Sequence, residues 1–356
     1  MSASPIKLPV LAKLDARIPQ WSLHRLSYRP CPLCQKNNEA SFLRPDYLPI
    51  AYCSSCGLWY VSSLPPLEEI SNLYQGYWFS FRPKDLSSSY ASELLSKRES
   101  MKNDMSLNRL SAIGGGLDGK RLLEIGCGCG EFLVGALHRG ASVFGNDVSH
   151  ESSTFVREQL HIPVWEGPLS PESVEREVGQ MDIVVMSDLI EHPAEPLALL
   201  ESAVSLLKPD GLLLIVTPNG GDASDRISRA GQWVGFRVDL EHLQYLSART
   251  ISILASRYHC DVEHLETFGY PGLKGIDRLP TLPTPPSNAA VAVRSLIDFV
   301  KAPLKKSDLI RRLVRALRTI DSPEPLDPRC GTYRLFAILR KRGNLTRDGA
   351  LISGRS

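Results

Sequence analysis

Three groups of residues in this chain have types and spacings that can do chemistry. The first is LLEIGCGCGEFL, residues 122–133. A short apolar run carries Glu124, breaks into Gly126, Gly128 and Gly130, and passes at once into a helix-compatible segment, residues 131–137. A strand feeding a glycine-rich turn and then a helix brings backbone N–H groups close to a cofactor. The spacing is G-x-G-x-G, whereas the dinucleotide fingerprint is G-x-G-x-x-G, which argues against a nicotinamide cofactor. A second strand-like run ends in GNDVS, residues 145–149. It places Asp147 about 20 residues beyond the first glycine, where an acid can take a ribose diol.

The second group is Cys31-x-x-Cys34, eighteen intervening residues, then Cys53-x-x-Cys56. That separation falls within the template of two zinc knuckles. Four thiolates complete a tetrahedral site and leave no open position, so the zinc they imply is structural. Pro32 and Gly57 suit tight turns, and residues 58–61 (LWYV) suit a strand leaving the second knuckle. The competing reading is a set of buried or redox cysteines. The other four of the eight cysteines, Cys127, Cys129, Cys260 and Cys330, read as small packing residues.

The third group is SDLIEH, residues 187–192, with a later histidine, His242, in EHL. Asp188 precedes Glu191 by three residues, so one helical turn would put both carboxylates on a common face.

These groups must be positioned by elements the rest of the sequence supplies. The chain has 356 residues, long enough for one large or two modest domains, and 43% hydrophobic with 22% charged residues reads as an ordinary globular protein. A net charge of +2 is too mild to imply nucleic acid by itself. The first twenty residues carry Lys7, Lys13, Asp15 and Arg17 and no continuous apolar run, so a signal peptide is not expected. No segment approaches about 18 uninterrupted apolar residues. The expected compartment is the cytoplasm, where paired cysteines suggest metal. Strand and helix patterns alternate after residue 105, which predicts a parallel sheet covered by helices on both faces.

With these motifs in their order, the sequence resembles the class I S-adenosylmethionine-dependent methyltransferases. Residues 181–192 (MDIVVMSDLIEH) resemble the fourth strand and its active-site end, and residues 206–219 the turn and fifth strand. Residues 241–270 resemble the next loop, helix and sixth strand, and residues 331–342 the final antiparallel strand. The amino-terminal knuckles resemble the zinc ribbon ahead of many bacterial methyltransferase domains. The resemblance implies an α/β fold: a Rossmann-like, mostly parallel sheet with an antiparallel last strand, an N-terminal zinc ribbon and a helical insert. It implies S-adenosylmethionine bound at Glu124, Gly126, Gly128, Gly130, Asp147 and Ser187. In the resembling proteins the connector lies over the cofactor, so Tyr77 becomes a ligand contact; packing between ribbon and core is the other use of its aromatics.

The organisation expected is a leader (1–25), the ribbon (26–64), a connector (65–104), a core (105–345) and a tail (346–356). Residues 271–330 interrupt the core as a helical insert. It carries Lys305, Lys306, Arg311, Arg312, Arg315 and Arg318. These read as a solvated basic face or as a surface for an anionic substrate. The insert is expected to cover the acceptor pocket.

Methyl transfer from a sulfonium requires alignment of the acceptor and removal of its proton. Glu191 and His192 are the candidates for that proton. The D-x-x-E-H run with His242 also resembles the E-x-x-E-H metal site of small-RNA 2′-O-methyltransferases and ubiquinone-pathway O-methyltransferases. By that resemblance Asp188, Glu191, His192 and His242 would hold Mg²⁺ or Mn²⁺, with an aspartate one methylene shorter in the first position. A metal-free His192 base and a bracing role stay open beside it. The expected function is methyl transfer to a hydroxyl of a small molecule or sugar. The alternatives are an RNA methyltransferase that grips phosphate with the ribbon and insert, and a non-catalytic cofactor-binding or scaffold protein.

Overall fold

The structure, a computed structural model, describes residues 19, 21–75, 86–96, 104–224, 233, 235–238, 240–269 and 333–343. Most of the leader, Tyr77, the insert 271–330 and the tail lie outside the described residues.

At the amino-terminal end, β1 (Ser27–Tyr28) pairs antiparallel with β5 (Ser63–Leu64). Between them β2 (Ala40–Leu43), β3 (Pro49–Cys53) and β4 (Leu58–Val61) form an antiparallel meander. Gly57, at φ +78°, closes the turn after Cys53, donating its N–H to the Cys53 carbonyl at 2.7 Å. All four residues of β4 are buried, which a free-standing ribbon would not achieve.

The burial comes from the rest of the chain. The main sheet contains β6 (Arg121–Ile125), β7 (Ser142–Asp147), β8 (Val164–Glu166), β9 (Met181–Ser187) and β10 (Leu207–Pro218). Between β10 and the rest of the sheet's chain lies a two-residue strand, β11 (Gln244–Tyr245), which joins the ribbon meander instead, antiparallel to β4. The main sheet is completed by β12 (Cys260–Phe268) and β13 (Arg334–Lys341).

The order across the main sheet is β12-β13-β10-β9-β6-β7-β8. The pairs among β10, β9, β6, β7 and β8 are parallel, and β13 is antiparallel to both β10 and β12. This is the mostly parallel sheet with an antiparallel last strand that the sequence predicts. Its strands are apolar on both faces because both are covered. Along β10, Leu213 and Ile215 enter one core while Leu212, Leu214 and Val216 enter the other. The first of these cores also takes Cys31, Leu33, Ala51 and Leu58, so ribbon and sheet share buried surface.

Helices are started by ordinary capping chemistry. Asp104 accepts the Leu107 N–H at 2.8 Å ahead of the helix Met105–Gly114. Ser247 and Thr250 form a reciprocal capping box ahead of the helix Ala248–Arg257. Each such cap is worth about 1 kcal/mol. Among the described residues no helix is long and apolar enough to cross a membrane.

Candidate active site and metal centres

In a sheet of this topology ligands gather beyond the carboxyl ends of the parallel strands. The glycine turn leaves β6 there. Gly126, Gly128 and Gly130 all lie at positive φ, +72°, +51° and +75°. A side chain at Gly126 would bring a Cβ within 2.9 Å of Leu189 Cδ1, so the turn also packs directly against the loop after β9. Asp147, at the end of β7, accepts the Gly128 N–H through Oδ2 and the Ser149 N–H through Oδ1, both at 2.8 Å. Each carboxylate oxygen keeps a lone pair for a further donor such as a ribose hydroxyl. Burial raises the Asp147 pKa, opposed by these backbone donors.

Glu124 is buried beneath the turn, and burial, then the carboxylates of Asp147, Asp104 and Glu131, push its pKa well up. Its Oε2 has no hydrogen-bond partner among the described residues. Ser187 stands half-buried at the carboxyl end of β9, paired in register with Val216.

The loop after β9 carries Glu191 and His192, and a later loop before β11 carries His242. Glu191, His192 and His242 are all buried, and one ligand atom from each lies within 4.8 Å of the others. Thr217 Oγ1 donates to Glu191 Oε2 at 2.9 Å. Glu191 Oε1 faces His242 Nε2 at 3.9 Å and has no hydrogen-bond partner among the described residues. The two imidazoles cross edge to face with centroids 4.6 Å apart. Burial, followed by the Asp188 carboxylate, pushes the Glu191 pKa well up. Burial lowers His192 to about 4, and burial, then His192 and Arg44, hold His242 well below its ordinary value. Both imidazoles are therefore neutral at neutral pH.

Asp188 does not join them. The expectation of one helical turn over 188–191 is corrected: the segment is a loop, with Asp188 at φ +50° and the His192 N–H donated to the Leu189 carbonyl at 2.9 Å. Both Asp188 carboxylate oxygens instead accept from Arg334 Nη1 on β13, at 3.0 and 2.9 Å. The donor set is thus two imidazoles and one carboxylate, a combination found at divalent-metal sites with open positions.

Sequence reasoning missed one contributor. Tyr74, near the end of the helix Leu67–Gln75, places its hydroxyl 2.7 Å from His192 Nδ1 and donates to the Glu241 carbonyl at 3.2 Å. The Tyr74 hydroxyl thus links the His192 ring to the backbone of the segment that carries His242. No local pattern marks Tyr74, which lies 118 residues from its partner.

The four amino-terminal cysteines converge. Cys31 and Cys56 sulfurs are 3.5 Å apart, Cys34 and Cys53 sulfurs 3.4 Å, and all four lie within 4.8 Å of one another. A tetrahedron with Zn–S bonds of about 2.3 Å has edges of about 3.8 Å, so the donor set fits zinc in type, number and spacing. The Cys56 thiol beside Cys31 holds the Cys31 pKa down to about 5, while Cys31 and burial push Cys56 up and burial raises Cys34. Cys127 and Cys129 are buried beside the glycine turn, and Cys260 is buried at the start of β12.

Similarities to known proteins stand beside this geometry. A family model described as a methyltransferase domain matches residues 97–265. The ubiquinone biosynthesis O-methyltransferase of Acinetobacter baylyi is 32% identical over 122 residues, 33% of this chain and 51% of that protein. The protein of the same name from Aeromonas salmonicida is 31% identical over 121 residues, again 33% of this chain and 51% of the relative. The chain spans about half the length of these curated relatives. Among solved structures, a SAM-dependent methyltransferase from Archaeoglobus fulgidus aligns at 18% identity with a TM-score of 0.39, covering 71% of this chain and 98% of that one. The matched residues 97–265 include β6, β7, β8, β9 and β10, the parallel strands of the main sheet.

Proposed function

We propose that this protein transfers the methyl group of S-adenosylmethionine to a hydroxyl of a small molecule or sugar, with Glu191, His192 and His242 at the acceptor. The observation that carries this reading is the buried cluster of one carboxylate and two imidazoles, with Glu191 and His192 on a loop packed against the glycine turn. The names of the curated relatives speak of O-methylation in ubiquinone biosynthesis, which supports a hydroxyl acceptor on a small molecule. Glu124, Gly126, Gly128, Gly130, Asp147 and Ser187 belong to the cofactor side. The cofactor, when bound, supplies a methyl group activated on a sulfonium. The chain's own task is to align the acceptor and accept its proton.

Burial weakens His192 as a base, since its pKa falls to about 4. That favours assistance by a divalent ion, Mg²⁺ or Mn²⁺, at Glu191, His192 and His242. Such an ion lowers the pKa of a hydroxyl and orients it. It needs neutral imidazoles, which burial already provides, and an ionised Glu191. The Glu191 Oε1 atom, buried with no hydrogen-bond partner among the described residues, is the donor such an ion would satisfy. The four ribbon cysteines hold a separate structural zinc in this reading.

The experiment is transfer of labelled methyl groups into small-molecule, glycan and RNA fractions of the native host, with and without chelator. Label in a small-molecule or glycan product, lost on brief chelation and restored by Mg²⁺ or Mn²⁺, is expected. Label confined to RNA, or no transfer with any fraction, would overturn the proposal. Turnover indifferent to chelation would remove the ion and leave His192 as the base.

A further inference from the structure

Arg44 follows β2 and belongs to the ribbon, yet its side chain has no exposed surface and every donor is spent. Nε and Nη2 donate to Asp46 Oδ1 and Oδ2 at 3.0 and 2.6 Å. Nη2 also donates to the Leu240 carbonyl at 2.6 Å, and Nη1 donates to the His242 carbonyl at 2.5 Å and the Tyr245 hydroxyl at 2.8 Å. A guanidinium has five N–H donors, and here three of them grip the segment that carries His242. The Arg44 backbone is itself fixed by a tight turn: its N–H donates to the Leu48 carbonyl at 3.0 Å, and its carbonyl accepts from Tyr47 at 2.9 Å.

A second arginine reinforces the arrangement. Arg29 Nε donates to the Val61 carbonyl at 2.8 Å, Nη1 to the Ala194 carbonyl at 3.0 Å, and Nη2 to the Leu243 carbonyl at 2.7 Å and Gln244 Oε1 at 3.2 Å. Gln244 Nε2 in turn donates to the carbonyls of Ile190 and Pro193 at 2.9 and 2.8 Å. The loop with Glu191 and His192 and the loop with His242 are therefore both tied to ribbon side chains. Two of the ribbon's basic residues that could have gripped phosphate are consumed in this way.

Burying an ion pair costs several kcal/mol in desolvation and is a weak source of stability. What three of the directed bonds from Arg44 supply is one position for the segment that carries His242. We infer that Arg44 is a positioning residue for His242, which makes the ribbon a working part of the active cluster rather than an appended module. The inference rests on the reading of Glu191, His192 and His242 as that cluster. Arg44 acts through the backbone carbonyl of His242 and touches neither cofactor nor acceptor.

The test uses the full, zinc-loaded chain and the double variant Arg44→Met/Asp46→Asn. The pair is changed together because Arg44→Met alone leaves Asp46 buried without its partner. The Asp46→Asn change removes that charge and keeps an amide oxygen as acceptor for Trp21 Nε1, now bonded to Asp46 at 2.8 Å. Three quantities are read: Mn²⁺ affinity, affinity for S-adenosylhomocysteine, and the ¹⁵N-histidine spectrum with His242 assigned by substitution. The expected result is Mn²⁺ affinity reduced about 10–100-fold, as for loss of an outer-shell partner, with His242 signals shifted and cofactor-product affinity kept within about two-fold. Unchanged Mn²⁺ affinity with unchanged His242 signals would overturn the inference. A parallel fall in both affinities would mark a loosened fold and overturn it equally. If the wild-type chain binds no Mn²⁺, the metal reading fails, and the His242 signals alone decide the role of Arg44.

Discussion

The hydroxyl of Tyr74 lies 2.7 Å from Nδ1 of His192, joining a helix that follows the ribbon to the loop that follows β9. This contact orients the imidazole, as an outer-shell partner does for a metal-bound or basic histidine. Tyr74→Phe keeps the ring and deletes only the hydroxyl. Its turnover is expected to fall roughly 10–100-fold with S-adenosylhomocysteine affinity unchanged. The check is steady-state kinetics beside calorimetric titration, and equal kcat in variant and wild type would count against an oriented His192.

Asp147 ties Gly128 and Ser149, and in the proposed cofactor site it would also offer lone pairs to a ribose. Asp147→Ala is expected to weaken S-adenosylhomocysteine binding by about 1.5–3 kcal/mol, the range for hydrogen bonds to a charged group. Asp147→Asn should fall between the two, because its carbonyl oxygen can keep one backbone donor. Calorimetry that finds the alanine variant binding as tightly as wild type would remove Asp147 from the cofactor site.

Gly126→Ala meets two obstacles, a backbone at φ +72° and Leu189 Cδ1 at 2.9 Å from the new methyl carbon. The left-handed conformation alone costs of order 1–3 kcal/mol at a non-glycine residue. Denaturant unfolding should report a loss of that size. Adding Leu189→Ala opens the space without relieving the backbone, so it should recover only the part of the loss due to the contact. Full recovery would mean that the backbone is not strained.

For the four cysteines, metal analysis of protein purified without chelator should find one zinc per chain. Cys53→Ser removes one thiolate of the proposed zinc site, and a ribbon of this size would draw folding energy from such a metal. Because Cys31, Cys53 and Cys56 lie in the same core as β9 and β10, thermal unfolding of the whole protein should shift down with zinc loss. An unchanged melting temperature would show the ribbon to be energetically separate.

The parts of the site legible in the sequence are those written in short stretches. Gly126 to Gly130, Asp147 and the two cysteine knuckles each carry their spacing locally, and the alternation of strand-like and helix-compatible runs predicts a parallel sheet covered by helices. Glu191 and His192 are legible for the same reason. Asp188 was not: its left-handed φ and its capture by Arg334, 146 residues away, depend on a strand at the far end of the chain. Tyr74 and Arg44 were hidden likewise, since no periodicity links a ribbon arginine to a carbonyl 198 residues on. The pairing of β11 with β4 is only two residues long and leaves no strand signature in the sequence.

The central claim is that Glu191, His192 and His242 act on the acceptor while the glycine turn and Asp147 hold the cofactor. It is tested most directly by methyl transfer measured in His242→Gln and Glu191→Gln beside their binding of S-adenosylhomocysteine. The account expects turnover to drop by roughly 10²–10⁴-fold, the scale of lost proton-transfer catalysis, with product binding within about two-fold of wild type. Wild-type turnover in both variants would contradict it and leave the cluster a brace for the loops.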